Sequence, residues 1–363
     1  MQREEGTPFM SDAMATAMHS NGTGVRISGL GAEIPPGVVT SAEVEERAGL
    51  KRLGFEPGWL ERVTGVRERR IAAPDVLPSQ LAVAAATRAL ADAGIGPLDV
   101  DTLIFTGITR DCMEPATANV VADALGAREA RVFDLDNACN GVIDGLDVAD
   151  SLIRTGKARR ALIATGERAS WSINWQPQSK EETLRSVAGL VVGDGGGALV
   201  VEACEDAERG LRARDFRSDA TQWRHATGGR FRPEVLCASC GSRLDAPFLC
   251  EGRDLTMAAA AIMIPAMYAV MERTGWTYRD LDVVFCHQPS RRFVDKMIGY
   301  LGVAAKGLPK LWVNVDRLGN VSTCSLPIAM TQAKEAGALV PGARVLLLAP
   351  ASGVSAGAVT LVW

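Results

Sequence analysis

The chain has 363 residues, 47% hydrophobic and 23% charged, with a formal net charge of −4. Its length fits two domains or one duplicated fold, and it has no basic excess to draw nucleic acid. No apolar run approaches the ~20 residues that span a bilayer, and eight scattered cysteines without a secretory leader point to reduced thiols and a cytoplasmic protein.

Residues 1–24 lack the apolar core of a signal peptide and read as a disordered leader. Beyond them, LIFTG, ALIAT, LVVE, VVFC and VLLLA are near-continuous apolar runs, as in strands covered on both faces by helices. Their alternation with helical patterns predicts α/β layers. The chain also repeats itself. Residues 82–107 and 257–288 each give an Ala-rich helix, a Gly-containing break, an Asp-x-Asp turn and an apolar strand, which sets Thr106 opposite His287. The stretches beginning FDLDNACN and VNVDRLGN form a second pair, setting Asp136 opposite Asp316 and Asn140 opposite Asn320. Two similar halves, 25–204 and 205–363, predict a five-layered α/β/α/β/α sandwich with a pseudo-twofold axis, and 207–253 reads as a loop-rich insertion roofing the site.

Within this frame Cys139 stands between a short strand (Val132, Phe133, Leu135) and an amphipathic helix (Val142, Ile143, Leu146, Ala149). A thiol at a helix N-terminus faces unpaired N–H groups and the positive end of the dipole, which favours the nucleophilic thiolate. A buried, inert cysteine fits the segment equally. Of the three histidines, His287 alone follows a buried strand, where side chains of an open α/β sheet point into the ligand crevice. It can take the thiol proton and return it; a hydrogen-bonded structural histidine is the plainer role. Asn320, in LGNVS, has turn formation as its default role. The repeat directs all three residues to one region. The lone C-x-x-C of Cys237 to Cys240 has no second pair, so no metal is expected. GDGGGA after Val192 lacks the strand–helix context of a dinucleotide site.

The motifs NACNG around Cys139, CHQPSRRF around His287 and GNVSTCSLP around Asn320 resemble the thiolase superfamily, ketoacyl synthase III type. WLERVTGVRERRI, VGDGGGALVVE and ASGVSAG extend the likeness over Val25 to Trp363. The resemblance implies a thiolase fold, a homodimer or a heterodimer with a related ketosynthase, and an acyl-enzyme on Cys139. It implies that His287 and Asn320 hydrogen-bond the thioester carbonyl of the second substrate. The backbone N–H groups of Cys139 and Gly353 would form the oxyanion hole for the first, placing donors where negative charge develops. It further implies CoA or phosphopantetheine thioesters as substrates, acyl-CoA or acyl carrier protein as partner, and no resident cofactor. Trp59 and Arg67-Glu68-Arg69-Arg70 resemble the pantetheine and nucleotide entrance, and Arg292 a carrier-protein contact; solvated surface arginines are the plainer reading. HQPS replaces the HQAN of the fatty-acid enzymes and GNV replaces GNT, and neither change removes a group named above. ASGVSAG lacks the second cysteine with which thiolases condense.

The segment TGITRDCMEPATA, 106–118, carries Glu114 where many decarboxylating ketoacyl synthases have an aromatic residue. It is similar to the OleA family, whose members join two acyl thioesters head to head without decarboxylation. There the equivalent glutamate crosses the dimer interface and removes an α-proton from the second acyl chain. Malonyl thioesters generate their carbanion by losing CO2, whereas a simple acyl thioester requires a base. A carboxylate in an apolar tunnel has its pKa raised toward that task; before Pro115 it equally complements a helix dipole. The leading expectation is Claisen condensation of two acyl thioesters. Decarboxylative elongation with malonyl carrier protein, acyl transfer to oxygen or nitrogen, and a supporting role in a heterodimer stay open.

Overall fold

The computed structural model describes residues 24–206, 208–228, 247–300 and 310–363. One five-stranded sheet contains β1 (Gly24–Glu33), β2 (Thr102–Phe105), β3 (Arg131–Asp134), β4 (Arg160–Glu167) and β5 (Gly195–Cys204), in the order β1-β5-β4-β2-β3. The other contains β6 (Gly210–Ser218), β7 (Val283–Cys286), β8 (Lys310–Leu311), β9 (Arg344–Ala351) and β10 (Ser355–Val362), in the order β6-β10-β9-β7-β8. The sheets are copies of one plan. In each, the short strand next to one edge (β2 or β7) pairs parallel with both neighbours, and the long strands beyond pair antiparallel.

Among the described residues, the layers are built by α1 (Pro78–Ala93), α2 (Thr117–Leu125), α3 (Gly141–Arg154), α4 (Gly252–Thr274), α5 (Arg291–Tyr300) and α6 (Ser325–Glu335). Strand side chains alternate between two faces. In the first sheet Leu103, Phe105, Leu162 and Ala164 join Ala82, Ala85, Ala86 and Ala89 of α1 and Val121 of α2 in an outer core. Ile104 and Ile163 face inward. They share a central core with Ile143 and Leu146 of α3, Leu326 and Met330 of α6, and Val283, Phe285, Val345 and Leu347 of the second sheet. Val284, Cys286, Leu346 and Leu348 point the other way, onto Met263, Met267 and Val270 of α4. The result is the five-layered α/β/α/β/α thiolase fold, with α3 and α6 between the sheets.

Small residues set the layer spacing. A Cβ on Gly31 of β1 would lie 2.0 Å from the Ala85 carbonyl oxygen, so only glycine lets the alanine face of α1 approach so closely. Pro78 opens that helix and Gly94, in the left-handed region, closes it.

Two expectations need correction. Within the stretch expected to be loop-rich, Gly210–Ser218 is a nine-residue edge strand. Its arginines obscure the alternation in the sequence, and edge strands carry such charges to block further pairing. The described residues also contain one helix long and apolar enough to cross a membrane, α4, with a mean hydropathy of 1.6 over an 18-residue window. Length and composition alone give it that property. Its buried methionines and Val270 cover the second sheet, the ordinary role of a core helix. The Cys237 to Cys240 pair and most of the leader lie outside the described residues.

Candidate active site

The duplicated plan brings the C-terminal ends of β3 and β7, and the turn before α6, to one place. After β3 the chain is held by Leu135 N–H donating to Phe105 O at 2.8 Å. It then turns tightly, Asn140 N–H donating to Asn137 O at 3.1 Å and Gly141 N–H to Ala138 O at 3.0 Å. Ala138 sits at φ +48°, a left-handed conformation that costs a non-glycine residue about 1–2 kcal/mol. Asp136 offsets part of this by accepting from Ala138 N–H at 3.1 Å. The turn presents Cys139 just before α3. Gly141 follows, where a Cβ would lie 2.9 Å from Thr106 O, so glycine lets the helix start rest against the end of β2.

The Cys139 thiol lies 3.7 Å from the Ser322 hydroxyl. Its position at the helix start is as expected; its ionisation is not. Burial, the largest effect, pushes the thiol up to about 12, while the Ser322 hydrogen bond and the residue's own N–H act the other way. Desolvation outweighs the donors at the helix start, so the resting group is a thiol.

His287 extends the β7 ladder, its N–H donating to Leu348 O at 2.8 Å. The residue is 3% exposed, and burial lowers its imidazole to about 4, opposed by a hydrogen bond at the Ser322 backbone. It is a neutral ring near pH 7, with Nδ1 3.1 Å from Ser325 Oγ. Asn320 is fixed from two sides: its N–H donates to Val191 O at 2.8 Å and its carbonyl accepts from Gly193 N–H at 2.9 Å. Its Oδ1 accepts from Ser322 N–H at 2.9 Å, and its Nδ2 has no hydrogen-bond partner among the described residues. Cys139, His287 and Asn320 therefore converge on Ser322, whose own φ is +50°. Sequence reasoning missed Ser322; its one signal is a hydroxyl two residues after the Gly-Asn turn.

Other expected residues lie around this cluster. Gly353, at φ +128°, stands in the loop between β9 and β10. Ser355 Oγ, two residues on, donates to Asn137 Oδ1 at 3.2 Å and so ties that loop to the cysteine turn. Glu114 is exposed on the segment after β2 and makes no hydrogen bond or ion pair among the described residues. The single chain thus does not link it to the cluster. Its segment is anchored nearby, with Asp111 accepting from Ser79 N–H at 2.9 Å and Arg110 pairing with Asp136 at 3.2 Å. Trp59 stacks on Phe55 at 4.2 Å, and exposed Arg292 donates to Arg62 O at 3.0 Å. The Arg292 bond joins α5 to the helix Trp59–Thr64 that Trp59 opens.

Two buried carboxylates that sequence reasoning did not single out for the site brace it. Glu167, at the end of β4, accepts from Ile108 N–H (3.0 Å), Thr109 N–H (3.1 Å), Thr109 Oγ1 (2.9 Å) and Thr323 Oγ1 (2.7 Å). Burial still raises its carboxyl above the usual range. It joins the start of the Glu114 segment to the Asn320 turn. Asp194 of GDGGGA accepts from Ala72 N–H (3.0 Å), Ser170 N–H (2.9 Å) and Arg168 Nε (3.1 Å), so that motif serves loop architecture. Among the described residues no group of three or more His, Cys, Asp or Glu is placed to hold a metal ion.

The fold and the cysteine–histidine–asparagine cluster define an acyl-transferring enzyme of the thiolase type. Profiles of 3-oxoacyl-(acyl-carrier-protein) synthase III match residues 133–220, and those of its C-terminal part match 271–363. β-Ketoacyl-(acyl-carrier-protein) synthase III of Chelativorans sp. is 33% identical over 93% of this chain and 98% of its own length. Synthase III 3 of Streptomyces coelicolor is 33% identical over 93% and 96%. Among solved structures, cerulenin-bound OleA of Xanthomonas campestris has a TM-score of 0.83 at 28% identity, covering 94% of this chain and 97% of that one. A cysteine-to-serine variant of that OleA, with bound lauric acid and lauroyl-CoA, gives 0.83 at 28% identity, covering 94% and 99%. The chain belongs to the ketoacyl synthase III type of the thiolase superfamily, and it is a condensing ketosynthase.

Proposed function

We propose that this ketosynthase joins two acyl thioesters by Claisen condensation without loss of CO2. The Cys139 sulfur attacks the first thioester carbonyl, CoA or carrier-protein thiol leaves, and the thiol proton passes through neutral His287 to that leaving group. The backbone N–H groups of Cys139 and Gly353 hold the oxyanion. The second acyl thioester enters past Trp59 and Arg292. Its carbonyl oxygen accepts from His287 and from the Asn320 Nδ2. Glu114, supplied by the partner protomer, removes an α-proton. The resulting carbon attacks the acyl group on Cys139, the thiolate leaves and regains a proton, and a β-keto thioester results. No resident cofactor is required, and the assembly is a homodimer or a heterodimer with a related ketosynthase.

Glu114 carries this reading. It is an exposed carboxylate without partners among the described residues of its own chain, on a segment anchored beside the cysteine turn. The solved OleA variants include three with one glutamate replaced by alanine, glutamine or aspartate. A second reading, decarboxylative elongation of malonyl carrier protein, is favoured by the curated relatives, which bear the synthase III name. In that reading CO2 loss makes the carbanion and Glu114 is idle. Incubation with a single saturated acyl-CoA decides between them: a β-keto product supports the proposal, and a strict need for malonyl thioester with stoichiometric CO2 overturns it.

A further inference from the structure

Asp144, in the first turn of α3, accepts hydrogen bonds from both asparagines that flank the cysteine. Asn140 Nδ2 donates to Oδ1 at 3.0 Å, and Asn137 Nδ2 donates to Oδ2. Asn137 passes the connection on, since its Oδ1 accepts from Ser355 Oγ beyond the Gly353 loop. Asn140 is 1% exposed, and its Oδ1 has no hydrogen-bond partner among the described residues. Its fixed position therefore depends on the amide nitrogen that Asp144 holds and on packing against Gly357, where a Cβ would lie 2.7 Å from that oxygen.

The turn needs such a brace. Ala138 is left-handed; Asp136 holds its N–H from the entry side, and the two flanking asparagines add side-chain anchors on either side of the cysteine. A carboxylate with two acceptor oxygens satisfies both amides at once; an amide or an aliphatic group cannot. A carboxylate at this place in a helix would otherwise be read as a complement to the dipole, but its oxygens are turned back onto the asparagines.

We propose that Asp144 is a positioning residue: with Asn137 and Asn140 it clamps the turn bearing Cys139 and couples that turn to the Gly353 loop of the opposite half. The role rests on Cys139 being the acylated nucleophile. Displacements of about 1 Å at a nucleophile can cost about 10²-fold in rate, so the clamp should act on the rate of acylation at saturation rather than on binding.

The test is single-turnover acylation of the full chain by lauroyl-CoA, followed by intact-protein mass spectrometry. Variants are Asp144→Ala, Asp144→Asn, Asn137→Ala, the Asp144→Ala/Asn137→Ala pair, and Cys139→Ala. The saturating rate is expected to fall about 10- to 100-fold in Asp144→Ala, with the half-saturating concentration within about 2-fold of the parent. Asp144→Asn, which keeps the shape and one acceptor oxygen, recovers part of the loss and guards against misfolding of the alanine variant. The double variant is expected to be no slower than the slower single one by more than about 3-fold, because both remove the same clamp. An unchanged saturating rate in both Asp144 variants, or fully additive losses, overturns the clamp. No adduct on the parent, or an adduct retained by Cys139→Ala, instead removes the nucleophile reading on which it rests.

Discussion

The hydroxyl of Ser322 lies 3.7 Å from the thiol of Cys139, and the Ser322 N–H donates to Asn320 Oδ1 at 2.9 Å. One residue at positive φ thus meets Cys139 through its side chain and Asn320 through its backbone. Replacing Ser322 with alanine keeps the backbone bond and deletes only the hydroxyl. A hydrogen bond of about 0.5–1.5 kcal/mol corresponds to roughly a 2- to 10-fold loss, so alkylation of Cys139 by iodoacetamide at pH 9 should slow by that factor. An unchanged rate would remove Ser322 from the site.

The thiol itself, on a half-buried residue, should behave as a desolvated group. With Cys139 pushed up to about 12, its alkylation rate should climb steadily from pH 7 to pH 10 without a plateau. A plateau below pH 8 would mean that the helix start wins over burial after all.

His287 gives the opposite limb. Burial holds its imidazole at about 4, against about 6.5 in the unfolded chain. Between those values the unfolded chain binds a proton that the folded chain refuses, so stability declines as pH falls from about 6.5 and levels off below about 4. A His287→Asn variant lacks this contribution. The stability difference between parent and variant, measured by urea unfolding, should therefore shift against the parent on acidification, by at most about 1.4 kcal/mol per pH unit. A constant difference from pH 7 to pH 4 would contradict it.

Much of this architecture was legible in the sequence because the chain states its plan twice. Cys139 and His287 each follow an apolar strand, and the matched registers of Asn140 and Asn320 placed the third member. What escaped was decided by distant contacts. Glu167 takes its meaning from Thr109, 58 positions away, and Thr323, 156 positions away, and no local pattern announces either. Ser322 lay in a turn where serine is ordinary, and Asp144 in a helix start where a carboxylate is ordinary. The ionisation of Cys139 was misjudged because the helix start is local and visible, whereas desolvation depends on how the whole chain packs around the thiol. The β6 strand escaped because Arg212, Arg214, Asp215 and Arg217 do not keep one alternating polar face, so its period-2 pattern is blurred.

Glu167 should prove costly to remove. Its oxygens satisfy two backbone N–H groups and two hydroxyls in a buried place, and each buried donor left unsatisfied costs about 1–3 kcal/mol. Glu167→Ala should therefore lower the unfolding free energy by about 3–5 kcal/mol in urea, a loss larger than that of an ordinary surface substitution. A change below about 1 kcal/mol would show that water or neighbouring groups replace the carboxylate.

In the proposed reaction Glu114 makes the carbanion for a condensation between two simple acyl chains. The most direct measurement compares the parent with Glu114→Gln in two readouts, acylation of Cys139 by lauroyl-CoA and formation of the β-keto product from lauroyl-CoA alone. General-base catalysis contributes about 10²- to 10⁴-fold. We expect acylation to stay within about 3-fold of the parent while condensation falls by about 10²-fold or more. Full condensation activity in Glu114→Gln, or product only when malonyl thioester is added, would contradict the account.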